Sequence, residues 1–205
     1  MFQLPAVYPI TDRRLSGLSH LEIVERLVAG GATLIQLREK TTDMRGFYEA
    51  VAAALSYARP RGVKILVNDR VDVALAAGAD GVHLGQDDLP PAAARQILGN
   101  DAIIGFSTHS VAQAIEAEHF PVDYIAIGPV FTTTTKENPD PVVGLEGVRD
   151  VRAQTTKPLV AIGGITGATM NDVFAAGADS VALISQLFPA SGDIAERFRS
   201  LNTKQ

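Results

Sequence analysis

Ala76-Ala77-Gly78-Ala79-Asp80 recurs residue for residue as Ala175-Ala176-Gly177-Ala178-Asp179. Each copy stands between a stretch of helical composition and an apolar run, Gly81 to Gly85 after the first and Ser180 to Ser185 after the second. A small-residue pentapeptide with a central glycine, used twice in the same context, reads as one helix-to-strand turn placed at two points of a repeating unit. Working outward from it, the same alternation fills the chain. Val7 to Ile10 is apolar and ends at Thr11-Asp12. From His20 the pattern becomes helical, with Leu21, Val24, Leu27 and Val28 on one face, and it stops at Gly30-Gly31. Leu34 to Glu39 then reads as a second strand. Phe47, Val51, Leu55 and Ala58 form the next helical stripe before Pro60, and Lys64 to Asp69 the third strand. Gly81 to Gly85, Ile103 to Phe106, Tyr124 to Val130, Leu159 to Ile165 and Ser180 to Ser185 complete eight strand-helix units. Strands that are nearly all apolar and alternate with helices call for a parallel sheet covered by helices. Eight such units favour an α/β fold of the (β/α)8 TIM-barrel type, with an open doubly wound sheet as the alternative.

The 205 residues, 46% hydrophobic and 20% charged, suffice for one substantial core, and no linker or low-complexity tract divides them, so a single domain over 1–205 is expected. A net charge of -5, from 18 Lys and Arg against 23 Asp and Glu, provides no broad basic field for nucleic acid or an anionic membrane. Neither partner is expected, and an anionic ligand has to be held by local groups. The absence of cysteine removes thiolate metal sites, cysteine nucleophiles and disulfides. No run approaches a membrane span and Met1 to Pro5 does not resemble a signal peptide, so a cytoplasmic protein is expected; a homo-oligomer stays open.

In a barrel of this kind the loops after the strands form the active face. Polar residues collect there: Gln36, Arg38 and Lys40 after the second strand, Asn68 and Asp69 after the third, Gln86, Asp87 and Asp88 after the fourth, Ser107 and His109 after the fifth. Thr132 to Thr135 and Lys136 follow the sixth, Gly163-Gly164 the seventh, and Ile184-Ser185 closes the eighth. Asp69 and Asp88 end consecutive strands and suit a shared magnesium ion, which takes one or two protein carboxylates and fills its shell with water and phosphate. Alternatively, Asp69 sits in a polar turn and Asp88 caps a helix starting at Leu89-Pro90. Arg38, Lys40 and Lys136 are natural counter-charges for a pyrophosphate, or else solvated surface charges. Gly163-Gly164, with a helix opening near Thr166-Gly167, fits a phosphate held at a glycine turn, or a turn that needs glycine for its backbone alone. The threonine run fits a hydroxyl-lined anion loop or a flexible one. His83 alternates with Val82 and Leu84 and reads as a satisfied core histidine, and His109 as a residue at a helix start or near ligand.

Taken together, Gln36-Leu37-Arg38-Glu39-Lys40, Val67-Asn68-Asp69, Gly81 to Asp88, Gly105 to Ser110, Gly128-Pro129-Val130-Phe131, Thr133 to Lys136, Ile162 to Ile165 and Ala178 to Val181 resemble the thiamine phosphate synthase family, in order and from the first strand to the eighth. The resemblance implies a magnesium-dependent transferase. It joins 4-amino-5-hydroxymethyl-2-methylpyrimidine pyrophosphate to hydroxyethylthiazole phosphate, releasing pyrophosphate and giving thiamine phosphate. Its partners are then small phosphorylated molecules. The family's pyrimidine pyrophosphate contacts fall on Gln36, Leu37, Arg38, Glu39, Lys40, Asn68, Ser107 and Lys136, its thiazole phosphate contacts on Thr133, Thr134, Thr135, Gly164, Ile184 and Ser185, and its metal ligands on Asp69 and Asp88. Lys136, Arg38, Lys40 and Ser107 carry the expected catalytic roles.

Two other readings remain. A thiazole tautomerase-like isomerase on the same barrel is disfavoured by the presence of Asp69, Asp88 and Lys40, and by Pro129 where the tautomerase type carries histidine. A non-catalytic barrel that binds thiazole phosphate is disfavoured by the same pyrophosphate and metal groups. Glu137-Asn138-Pro139-Asp140-Pro141 is expected to form a mobile loop over the site.

Overall fold

The computed structural model describes residues 3–133, 135, 140–189 and 192–203. Eight strands run β1 (Val7–Pro9), β2 (Leu34–Leu37), β3 (Lys64–Asn68), β4 (Gly81–Leu84), β5 (Ile103–Thr108), β6 (Tyr124–Ile127), β7 (Leu159–Ile162) and β8 (Ser180–Leu183). Between and after them lie α1 (Arg13–Ser16), α2 (His20–Ala29), α3 (Met44–Ala58), α4 (Val71–Ala77), α5 (Pro91–Leu98), α6 (Val111–Ala117), α7 (Gly144–Gln154), α8 (Met170–Ala175) and α9 (Ile194–Asn202). Every strand pair is parallel, β2 through β8 in sequence order and β8 against β1. The ring closes where Ile10 bridges Gln36 and the Thr11 N–H donates to the Gln36 carbonyl at 2.9 Å. An open doubly wound sheet would leave that edge unpaired, so the barrel is the correct alternative.

Strand alternation sorts the side chains into two layers. Tyr8, Ile10, Leu34, Leu66, Ile103, Tyr124, Ala126, Val160 and Ala182 fill the barrel interior. Residues of opposite parity, such as Val7, Ile35, Leu37, Ile65, Val67, Val82 and Ile104, face the helices and pack on their apolar stripes. In α3 that stripe is Phe47, Val51, Ala54, Leu55 and Ala58, as the sequence spacing predicts. In α2 it is His20, Ile23, Val24 and Leu27, rotated from the predicted face, and a capping box between Ser19 and Glu22 starts the helix.

The repeated pentapeptide has a definite structural task. Gly78 and Gly177, at φ +67° and +106°, reverse the chain after α4 and α8. The aspartates that follow reach sideways. Asp80 Oδ2 accepts the first free N–H of the preceding strand, Ile65, at 2.9 Å, and Asp179 Oδ2 does the same for Leu159 at 2.7 Å. Asp123, ahead of β6, repeats the device on Ile104 at 2.7 Å. Each carboxylate also faces a cation: Lys64 for Asp80, Arg95 for Asp123 and Arg152 for Asp179. These clamps sit at the strand N-terminal end, which leaves the opposite rim free for chemistry.

Candidate active site

The two-residue period places Gln36, Asn68, His83 and Ser107 on the inside of the barrel at the C-terminal ends of four consecutive strands. A hydrogen-bonded chain of side chains forms the floor beneath the mouth. Gln36 Nε2 donates to Tyr8 Oη at 3.0 Å, and Tyr8 Oη lies 3.2 Å from Tyr124 Oη. Tyr124 Oη lies 2.8 Å from His83 Nδ1, and His83 Nε2 2.8 Å from Ser107 Oγ. Burial pushes both phenols upward, so both stay protonated, and it depresses His83 to about 4 against a small opposing pull from the Asp69 charge. The floor is therefore a neutral polar network. Gly105 makes room for it, since a Cβ there would lie 2.0 Å from Tyr124 Cζ.

His83 is thus the buried, fully hydrogen-bonded histidine that the alternation predicts, but it also orients Ser107. Tyr8 and Tyr124 are not among the site residues read from the sequence. The signal was present: both have inward parity in their strands, and a buried phenol needs a partner for its hydroxyl.

Above the floor stand the charged groups. Asp69 has a left-handed backbone, φ +64°, with its N–H held by the His83 carbonyl at 2.8 Å. Among the described non-glycine residues it is the one with positive φ, a cost that structures retain where a side chain must be aimed. Asp88 does not cap a helix. Its Oδ2 accepts the Gly85 N–H at 2.7 Å, closing the turn after β4, and α5 opens later at Pro91 with no side-chain cap. That turn points the Asp88 carboxyl toward Asp69, and burial, reinforced by the Asp69 charge, raises it above the usual carboxylate range. Two adjoining carboxylates of this kind suit one hard cation that keeps water and phosphate in its remaining positions. No cluster of three or more ligating side chains occurs among the described residues. Lys40 Nζ forms an ion pair with Asp69 Oδ2, which places Lys40 at the same spot.

Arg38 lies one inward step beyond Gln36 and donates from Nη1 to Asp12 Oδ2 at 3.1 Å. Leu37 between them is completely buried on the helix-facing side, so its side chain does not reach the mouth. The Glu39 carboxylate turns back onto its own loop. Asn68 is 8% exposed at the end of β3.

On the far side of the rim, Gly163 and Gly164 lie against Pro129, Phe131 and Thr132, and a Cβ on Gly164 would stand 2.5 Å from the Thr132 carbonyl oxygen. Glycine is required there by the close passage of the β6 loop. The helix expected to open near Thr166-Gly167 opens at Met170, because Thr166 to Thr169 form a separate turn in which the Thr166 N–H donates to Thr169 Oγ1 at 3.0 Å. Thr133 Oγ1 accepts the Thr135 N–H at 3.3 Å. Ile184 packs against the barrel interior and Ser185 begins a short 3-10 turn. His109 Nδ1 lies 2.8 Å from the Gly128 carbonyl and 3.4 Å from Asp140, tying β5 to the β6 loop. Thr134, Lys136 and 137–139 of the expected loop lie outside the described residues.

The family model described as thiamine monophosphate synthase matches residues 7–187. The chain belongs to the thiamine monophosphate synthase family. Thiamine-phosphate synthase from Chloroflexus aurantiacus is 44% identical over 196 residues, covering 95% of this chain and 90% of the relative. That from Azorhizobium caulinodans is 46% identical over 201 residues, covering 97% and 93%. The solved thiamine phosphate pyrophosphorylase from Pyrococcus furiosus superposes with a TM-score of 0.86 at 38% identity, covering 97% of this chain and 94% of that one. A 3-hexulose-6-phosphate synthase structure, at 16% identity and a TM-score of 0.71, shares the fold alone. Within the thiamine monophosphate synthase family this chain is a transferase of thiamine biosynthesis.

Proposed function

We propose that the rim holds pyrimidine pyrophosphate on Gln36, Arg38, Lys40, Asn68, Ser107 and Lys136, and thiazole phosphate on Thr133, Thr134, Thr135, Gly164, Ile184 and Ser185. Asp69 and Asp88 bind magnesium in this reading. The observation that carries it is the Lys40–Asp69 ion pair beside the half-buried Asp88 carboxyl, with Arg38 held on the same loop as Lys40, above a neutral polar floor ending in Ser107.

The reaction is alkyl transfer. The bond between the pyrimidine methylene carbon and the pyrophosphate oxygen breaks, its electron pair leaving on pyrophosphate. The thiazole nitrogen then supplies its lone pair to the methylene cation, and the new C–N bond gives thiamine phosphate. Magnesium, when bound, supplies positive charge to the leaving oxygens. Arg38 offers a planar fork to the departing pyrophosphate, and Lys40 and Lys136 act as point charges. Both lysines already meet the anionic pyrophosphate of the bound substrate, and the further negative charge that develops on the leaving oxygen as the bond breaks strengthens that attraction in the transition state. With a cation held by Asp69 and Asp88, Lys40 would be released from its ion pair with Asp69 and could face the pyrophosphate. Ser107, held by neutral His83, keeps its hydroxyl aimed at the pyrimidine, and the buried floor keeps water from the cation. No side chain is consumed as nucleophile. Both substrates are phosphorylated and cross no membrane unaided, which supports reading the reaction as confined to the compartment where they are made, here taken as the cytoplasm.

Incubating the protein with both substrates and magnesium is expected to yield thiamine phosphate and pyrophosphate in equal amounts, and chelating the metal to stop it. Isomerisation of a carboxylated thiazole phosphate without pyrimidine pyrophosphate would replace this reading with the tautomerase. Binding of both substrates without product would replace it with a regulatory barrel.

A further inference from the structure

The loop that carries Arg38 and Lys40 contains an acid between the two cations, where a pyrophosphate would meet repulsion. The Glu39 carboxylate is only 6% exposed and does not face the mouth. Its Oε1 accepts the N–H groups of Lys40 at 2.8 Å, Thr41 at 2.8 Å and Thr42 at 3.3 Å, together with the Thr41 hydroxyl at 2.9 Å. Three successive N–H groups converging on one point make an anion nest. Here the chain's own carboxylate fills the nest. Its Oε2 accepts from Arg13 Nη1 at 3.1 Å, and the same nitrogen donates to Thr42 Oγ1 at 2.8 Å. Burial alone would raise this carboxyl, but the Thr41, Arg13 and Lys40 donors outweigh it and hold it well below the usual range.

Beneath the loop the support continues into the β1–α1 turn. Thr11 Oγ1 accepts the Arg38 N–H at 3.2 Å, so its proton is free to go to His20 Nδ1 at 2.8 Å. A His20 ring that accepts this proton carries its own hydrogen on Nε2, which stands 3.4 Å from Glu39 Oε2 without forming a hydrogen bond among the described residues. Asp12 holds the Arg38 guanidinium from the same turn and also caps α1.

We propose that Glu39 is not a pyrophosphate contact but the positioning residue of this arm, which with Arg13, Asp12 and His20 braces Arg38 and Lys40 toward the mouth. With its charge matched by Arg13 and the nest, Glu39 adds little repulsion toward the ligand while fixing the backbone from which Lys40 projects. The proposal rests on reading Arg38 and Lys40 as the pyrophosphate cations.

The test compares wild type, Glu39→Ala, Glu39→Gln and Arg13→Ala, measuring magnesium pyrophosphate binding by calorimetry, KM for each substrate, and thermal melting. Glu39→Ala is expected to weaken pyrophosphate binding and raise the KM for the pyrimidine substrate by about tenfold or more, the scale of lost charge-assisted hydrogen bonds, leaving the KM for thiazole phosphate unchanged. Glu39→Gln should recover most of the affinity, because an amide oxygen still fills the nest. Arg13→Ala, which removes the partner of Glu39 Oε2, should show part of the Glu39→Ala defect. A wild type that binds while Glu39→Gln is as damaged as Glu39→Ala, or Arg13→Ala is unaffected, overturns the brace and leaves the functional reading standing. A wild type that neither binds magnesium pyrophosphate nor turns over overturns both.

Discussion

His83 Nε2 lies 2.8 Å from Ser107 Oγ, and through its other nitrogen the same ring reaches Tyr124 Oη at 2.8 Å. A residue at the rim is thereby tied to a tyrosine in the barrel interior through one imidazole stacked on the Tyr124 ring. Burial keeps the ring neutral at ordinary pH, so one of its nitrogens donates to one hydroxyl and the other accepts from the second.

A pH dependence of stability follows from that burial. His83 titrates at 6.5 when unfolded and at about 4 in the fold. Between those values the unfolded chain holds a proton that the native ring does not, so stability is complete above pH 6.5 and falls as pH drops toward 4. The loss is at most roughly 3 kcal/mol, from about 1.4 kcal/mol per pKa unit. Denaturant unfolding of wild type and His83→Gln at pH 7 and pH 4.5 checks it: the variant should lose less stability on acidification. Equal losses in the two proteins would remove His83 as the cause.

Gly105→Ala should damage the floor. The added methyl would stand 2.0 Å from Tyr124 Cζ and 2.3 Å from its hydroxyl, so the ring must move and leave His83 and Tyr8. Overpacking of this kind costs about 1–3 kcal/mol or more. The expected result is a lower unfolding midpoint and a large loss of turnover, and a variant with the wild-type midpoint would show that the interior has slack.

The clamps at the opposite end separate stability from activity. Asp123→Ala strips the Ile104 N–H and Arg95 of their shared acceptor. About 1–3 kcal/mol of stability should go, the cost of a buried donor left without a partner. Turnover per folded molecule should stay at the wild-type value; a drop in kcat with an unchanged melting temperature would contradict this division.

Asp69→Ala and Lys136→Ala are each expected to lower turnover by about two orders of magnitude or more, the range for removal of pre-placed transition-state charge. Folded protein by circular dichroism with little activity is the expected outcome. Near wild-type rates in both variants would overturn the metal and pyrophosphate assignment.

Much of this protein is legible in the order of its residues. Strand-helix alternation with a repeated Ala-Ala-Gly-Ala-Asp turn is local information, and it marks all eight strands because each apolar run must be buried on both faces. The same period places Gln36, Asn68 and Ser107 on inward positions at strand ends, and the family resemblance assigns them a ligand. Helix starts were less legible. Asp88 closes a loop turn, and α8 begins at Met170, because Asp, Thr and Gly serve caps and turns equally well until their neighbours in space are known.

What the sequence alone determined is the parity of each strand residue, the absence of cysteine chemistry, and the set of charges at the strand ends. Only the tertiary structure decided which of those charges meet. Closure of β1 on β2 and β8 brings Tyr8 to Gln36 and Tyr124, and Asp12 and Arg13 to Arg38 and Glu39, pairs 26 or more residues apart in the chain. Hydrogen bonds and ion pairs act over a few ångströms, and periodicity along a chain carries no information about distances across it. That is why the same stretch, Gln36 to Lys40, reads in sequence as one anion-binding run. In the barrel it divides into a buried floor contact at Gln36, a helix-facing core residue at Leu37, two cations at Arg38 and Lys40, and a carboxylate at Glu39 that holds its own loop.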